Sequence, residues 1–166
     1  MINIKSQEEI KIMAEGGKIL AKIMKELEKK AKPGITTKEL DRAAEALVLK
    51  SGAQCSFKGY EGFPVCLCTS INQEIVHVAP SERVLKEGDI VSLDLGIFYK
   101  GFHTDMAVTL PVGNISPEVA RLIRATKKAL KRGIKKVRPG NTFGDISNTT
   151  QRYVESQGFN VVRDLC

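Results

Sequence analysis

Apolar residues and glycine recur at Ile10, Met13, Gly17, Leu20, Met24 and Leu27, a three-and-four spacing that predicts a long amphipathic helix. Ser6-Gln7-Glu8-Glu9 reads as the capping box that opens it, and Lys32-Pro33-Gly34 closes it. Thr36-Thr37-Lys38-Glu39 opens a second helix with Leu40, Ala43, Ala44, Leu47 and Val48 on one face, and Gly52 stands as its C′ residue. From Ser56 to Leu110 the helical period gives way to short β-branched and apolar runs broken by Gly59, Gly62-Phe63-Pro64, Asn72 and Gly88. Residues 65–71 and 75–78 are predicted strands. Residues 90–98 and 102–110 are predicted to pair as a hairpin about Tyr99-Lys100-Gly101. Ser116-Pro117-Glu118 then opens another long helix, with Val119, Leu122, Ile123 and Leu130 among its apolar positions.

The pattern recurs. Pro33, Leu40 and Gly52 return as Pro139, Ile146 and Gly158, each 106 positions on. Three matches in register, each copy spanning a short helix behind a long one, predict a two-fold structural repeat. The first copy is expected over about 1–112 and the start of the second over about 113–166. After Gly52 the first copy runs 53 residues to Asp105, whereas eight follow Gly158, so the second copy is expected to stop before its sheet.

Inside the hairpin the polar residues are the informative ones. Asp94 interrupts an apolar limb and Asp105 lies on the return limb. A carboxylate in an apolar strand costs several kcal/mol unless it is paired, hydrogen-bonded or bound to a cation. A turn closing on Tyr99-Lys100 opposes residues whose numbers sum to 199, which sets Asp94 against Asp105; a G1 bulge at Gly101 makes the sum 200. A shared hard divalent cation explains both acids. Acids at strand ends, turned to water or capping backbone, remain the plain alternative.

Bulk properties narrow the class. At 166 residues, 42% hydrophobic and 27% charged, the chain is long enough for a globular domain with a core, and no apolar run approaches a membrane span. Cys55, Cys66, Cys68 and Cys166 show no disulfide framework and no Cys-x-x-Cys, which suits a reducing cytoplasm. Lys+Arg exceed Asp+Glu by 26 to 19, with runs at residues 25–32 and 127–138. Such runs serve as solvated helix faces or as docking surfaces for RNA, and the absence of Trp argues against a base-stacking platform.

The motifs together resemble the N-terminal two-thirds of the type I methionine aminopeptidases. The residues that carry the resemblance are Lys32-Pro33-Gly34 with Glu39-Leu40-Asp41, Gly59-Tyr60-Glu61-Gly62-Phe63-Pro64, Ser70-Ile71-Asn72, and residues 77–80. Leu85-Lys86-Glu87-Gly88-Asp89-Ile90-Val91, Asp94, Gly101-Phe102-His103-Thr104-Asp105 and Arg138-Pro139-Gly140 complete it. The resemblance implies an α+β pita-bread fold, truncated to two helix pairs on an antiparallel sheet that lacks the second half-sheet. It implies a dinuclear metallo-exopeptidase that removes initiator methionine from nascent proteins in the cytoplasm, using two divalent ions (Co, Mn, Fe, Zn or similar). Asp94 and Asp105 would be metal ligands, Asp105 bridging. His77 would hydrogen-bond the substrate near the scissile bond, and Phe57, Tyr60, Phe63 and Cys68 would line the methionine pocket. Without the resemblance, His77 reads more readily as a structural strand histidine than as a functional one, and the aromatics read equally as core packing. His103 shares strand parity with Asp105 and is assigned a structural role, because the family pattern does not use it as a ligand.

Two departures stand out. The family has glycine after this histidine, where the chain has Val78. The family's third metal-ligating histidine, two ligating glutamates and a second substrate histidine would all follow Cys166, so the chain alone is expected to be inactive with at most one ion. The expected partners are nascent peptide N-termini, the ribosome through the basic helices, and either a C-terminal segment or a second copy; no membrane is expected. A non-catalytic pita-bread relative that binds peptides or ribosomal RNA is the alternative reading.

Overall fold

The structure is a computed structural model and describes residues 3–163. Its elements are α1 (Gln7–Lys30), α2 (Thr37–Lys50), β1 (Gln54–Cys55), β2 (Leu67–Ile71), β3 (Ile90–Tyr99), β4 (Phe102–Pro111), α3 (Pro117–Ile134) and α4 (Phe143–Ser156). They fall into two compact units, Met1–Ile115 and Ser116–Cys166. The chain is α+β. The expected strand at 75–78 is absent: these residues form an irregular segment in which His77 takes φ 58°.

The first unit is an antiparallel sheet with α1 and α2 on one face. Strand β3 is its spine, pairing with β4 along one edge and with β1 and β2 along the other. Period-2 alternation sends Val91, Leu93, Leu95 and Ile97 into the core. There they meet Leu20, Met24 and Leu27 of α1 and Leu40, Ala44 and Val48 of α2. Truncating one such leucine to alanine costs about 2–5 kcal/mol, so this layer fixes the plane on which β3 displays its other face. Both helices start at capping boxes, Ser6 with Glu9 and Thr36 with Glu39.

The second unit is a helical hairpin. Ser116 caps α3 with Pro117 at the first helical position, and Thr142 caps α4 in a capping box with Asp145. The 14 residues of α4 match the 14 of α2 at the 106-residue offset read from the sequence. The flanking glycines match in conformation, with φ 97° and 87° at Gly34 and Gly140, and 75° and 77° at Gly52 and Gly158. Among the described residues no helix is long and apolar enough to cross a membrane.

Candidate active site

The residues of β3 that do not enter the core, Ser92, Asp94, Gly96 and Phe98, lie on the opposite face of the sheet. Tyr99 pairs with Phe102, so the turn is Lys100-Gly101, both with positive φ (47° and 89°). This two-residue primed turn follows the right-handed strand twist. It shifts the register from the one expected: opposed residues sum to 201, with Asp94 facing Ala107 and Asp105 facing Gly96. The two acids therefore share a face as diagonal neighbours, roughly 7–8 Å apart at the backbone, and do not stand directly opposite. Cys68 of β2 lies opposite Asp94 on the other edge.

The electrostatics of this face are those of an anionic pair that His77 offsets only in part. Burial, then the charge of Asp105, raises the Asp94 carboxyl above the usual range, while His77 opposes the rise. Burial raises Asp105 as well, again against His77. The Cys68 thiol is pushed up to about 11 by burial and then by Asp94, Asp105 and Asp41. Among the described residues, Asp94 Oδ1 is buried and accepts no hydrogen bond. An orphaned carboxylate oxygen beside a second carboxylate suits a hard cation, which would satisfy the oxygen and cancel the repulsion. Among the described residues no three His, Cys, Asp or Glu side chains gather as a ligand set, so the two acids stand as a pair.

Beside the acids lies a cavity of about 620 Å³ lined by Ser56, Phe57, Tyr60, Glu61, Gly62, Phe63, Pro64, Cys68 and His77. All four residues expected to form the methionine pocket are among them, together with His77. Their meeting follows from topology: β1 and β2 sit end to end on one edge of β3, Cys55 opposite Ile97 and Leu67 opposite Leu95. The intervening residues loop out over the open face. Gly96 makes room for the base of that loop, since a Cβ there would stand 2.8 Å from Phe57 Cε1 and 2.9 Å from Ser56 Cβ. Ser56 was not anticipated as a site residue. Its amide donates to the Gly96 carbonyl (3.0 Å), and its Oγ bonds His103 Nδ1 (2.9 Å), which ties the loop to β4. His103 thus has a loop partner in addition to its ring contact with Phe98.

His77 reaches the cavity from the irregular segment after β2. The Ile71 amide donates to Glu74 Oε2, the Thr69 amide to the Val78 carbonyl, and the Ser81 amide to Thr37 Oγ1. These bonds hold the segment on both sides of His77. The left-handed backbone at a non-glycine residue costs about 1–3 kcal/mol, so the surroundings dictate this conformation rather than the residue's own preference.

The cysteines depart from expectation. Cys55 and Cys66 are joined in a disulfide, with Cα atoms 5.2 Å apart, and Cys68 is free and buried. The pair is remote in sequence by strand standards and meets only because β1 and β2 share an edge of β3. Cys166 lies outside the described residues.

Comparison with known proteins agrees with this geometry. The model of metallopeptidase family M24 matches residues 11–166. Methionine aminopeptidase of Clostridium perfringens is 50% identical over 165 residues, covering 99% of this chain and 66% of its own length. Methionine aminopeptidase 1 of Bacillus subtilis is 48% identical, with 99% and 66% covered. The crystal structure of methionine aminopeptidase from Rickettsia prowazekii superposes with a TM-score of 0.96 at 34% identity, over 99% of this chain and 66% of that one. The enzyme of Thermotoga maritima gives 0.95 at 41%, with the same coverage. The chain therefore spans about 66% of the length of the curated relatives it matches. A family model covering nearly the whole chain, relatives at half identity and a sheet that presents two acids beside an aromatic cavity converge: the chain belongs to metallopeptidase family M24.

Proposed function

We propose that the chain provides the methionine pocket, the substrate histidine and the first two metal ligands of a type I methionine aminopeptidase. The observation that carries the proposal is the placement of the orphaned Asp94 carboxylate next to the cavity of Phe57, Tyr60, Phe63, Cys68 and His77. Asp94 and Asp105 would hold the divalent ions, and those ions, when bound, supply Lewis acidity and an activated water. The chain's own residues bind and orient. Phe57, Tyr60 and Phe63 offer aromatic edges to a thioether, and the buried Cys68 closes the pocket floor without adding charge. His77 is presented by a fixed backbone at the cavity wall, where an imidazole N–H can donate to a peptide oxygen as charge develops on it.

Two carboxylates do not suffice for two ions, so the 166-residue chain by itself would release no methionine. Leu130, Ile134, Val137 and Phe143, exposed on the helical hairpin, support an apolar contact with a further C-terminal segment or a second copy. Charge supports a second partner. Ser116–Cys166 carries 11 Lys+Arg against 4 Asp+Glu, whereas Met1–Ile115 carries 15 of each, so the whole excess of +7 sits on the hairpin. Among the described residues every ion pair lies in the first unit. An unneutralised basic hairpin suits ribosomal RNA close to emerging N-termini in the cytoplasm.

The test is release of methionine from a Met-Ala-Ser peptide with Co²⁺ or Mn²⁺. It is run on this chain and on a chain carried to the relatives' full length. The longer chain is expected to cleave and to lose activity with Asp94→Asn or Asp105→Asn. A longer chain that folds, binds the peptide and never cleaves it would instead establish a non-catalytic peptide-binding relative.

A further inference from the structure

The loop that walls the cavity has no core of its own. From Ser56 to Val65 no residue is buried, and Tyr60 is 70% exposed. Inside the loop the hydrogen bonds are local: the Gly59 amide to the Phe63 carbonyl, Tyr60 to Phe57, and Phe63 to Tyr60. Glu61 adds a left-handed backbone (φ 48°) at the tip. Anchors to the rest of the fold are confined to the loop's two feet. Ser56 bonds Gly96 and His103, Lys58 pairs with Glu45, and Asp41 Oδ1 accepts from the Cys66 and Leu67 amides. Compact surface loops usually hold their shape by packing their own side chains, and here Phe57, Phe63 and Val65 are only half-buried.

The disulfide closes the neck of this loop. Cys55 ends β1 and Cys66 immediately precedes β2, so the bond joins the two points where the chain leaves and rejoins the edge of β3. We propose that Cys55 and Cys66 are positioning residues for the substrate pocket: their disulfide holds Phe57, Tyr60 and Phe63 as a cavity wall, and its reduction releases that wall. Neither sulfur is offered to the substrate, because neither cysteine lines the cavity. The bond constrains the ends of a loop in which no residue is fully buried, which preorganises the wall before any ligand arrives.

The chemistry of release needs a dithiol reductant. A thiolate of the dithiol attacks Sγ of Cys55, the partly exposed partner, and breaks the Sγ–Sγ bond. Cys66 leaves as a thiolate and takes up a proton. The second thiol of the reductant then displaces Cys55 and becomes a disulfide itself, so two electrons and two protons pass to the protein. A small-molecule disulfide reverses the exchange. In a compartment poised by thiols, the pocket would thus be set by the thiol–disulfide balance.

The experiment uses the purified 166-residue chain oxidised, reduced with dithiothreitol, reoxidised with glutathione disulfide, and as the Cys55→Ser/Cys66→Ser double variant. Alkylation of the unfolded protein counts thiols, amide hydrogen exchange reads the loop, and saturation-transfer NMR with free L-methionine reads the pocket. The methionine readout rests on the function proposed above; the exchange readout does not. Expected are two fewer alkylated cysteines in the oxidised chain and exchange of the Gly59 and Phe63 amides roughly ten- to a hundredfold faster on reduction. The core amides of β3 should be unchanged. The methionine signal should fall several-fold on reduction, return on reoxidation, and stay low in the double variant whatever the redox state. Equal thiol counts, unchanged loop exchange, or a loosened loop that still holds methionine equally well would each overturn the proposal. A loop that loosens in a chain giving no methionine signal in any state supports the clasp and refutes the methionine pocket.

Discussion

Replacing Asp94 by Asn should stabilise the metal-free chain at neutral pH, which is the reverse of what removing a buried polar group usually does. Asp94 and Asp105 share one face of the β3–β4 pair as diagonal neighbours. At a separation of roughly 7 Å and an effective dielectric of about 20, two carboxylates repel by about 2 kcal/mol. Asp105 is the more exposed of the two, and solvent reduces the figure to about 1 kcal/mol. Relief of the charged form's burial at Asp94 adds to it, so the gain should be about 1–2 kcal/mol, or a rise of about 2–8 °C in Tm. The pH dependence follows from the direction of the shifts. Both folded-state pKa values lie above the ordinary aspartate value. The protonated acids therefore favour the fold fully below the unfolded pKa, and that advantage is lost as pH rises through the folded values. The assay is thermal denaturation in EDTA from pH 3.5 to 7.5 for the parent and for the Asp94→Asn variant. The curves should converge at the acid end and separate towards neutrality, with the variant above. Parallel curves, or a variant less stable at pH 7.5, would show that the carboxylates are satisfied by the protein and refute the cation reasoning.

Gly96→Ala should displace the pocket loop at a cost of about 1–3 kcal/mol, because the added Cβ would stand 2.8 Å from Phe57. Denaturant titration and exchange of the Ser56 amide would detect it, and an unchanged loop would contradict the close approach. In a chain of the relatives' full length, His77→Ala should leave metal content intact and slow turnover by roughly 10²–10³-fold; loss of metal instead would assign His77 to the ion. Thr36→Ala and Thr142→Ala each remove a capping hydroxyl and should each cost about 1 kcal/mol in urea denaturation; a negligible cost at both would mean that packing alone fixes the two starts.

The helices were legible because their signals are local. Ser6, Thr36 and Ser116 each open a run of helical periodicity, and each is an N-cap in the structure. The hairpin was legible in outline and wrong in register. A lysine is a poor advertisement for a left-handed turn position, and nothing short of the folded twist selects Lys100-Gly101 over Tyr99-Lys100. The segment at 75–78 is rich in β-branched residues like a strand, yet its Val78 carbonyl bonds β2 at Thr69 and the Ser81 amide beyond it bonds Thr37, an irregular anchoring that outweighs propensity. The residues that line the cavity were singled out through family motifs. The aromatics converge only because β1 and β2 lie end to end, a long-range fact that no window of sequence contains. For the same reason the Cys55–Cys66 bond and the Ser56–His103 contact carried no advance signal.

Asp94 and Asp105 are proposed as the metal-binding half-site of this chain. Mn²⁺ binding, followed by electron paramagnetic resonance of the free ion at neutral pH, tests it without requiring turnover. The parent chain should take up no more than one ion, with a dissociation constant of roughly 10⁻⁴ M or weaker, and its Tm should rise with Mn²⁺. Asp94→Asn and Asp105→Asn should each abolish both effects. Equal Mn²⁺ uptake by the parent and the two variants would place the ion elsewhere and contradict the assignment of Asp94 and Asp105 as its ligands.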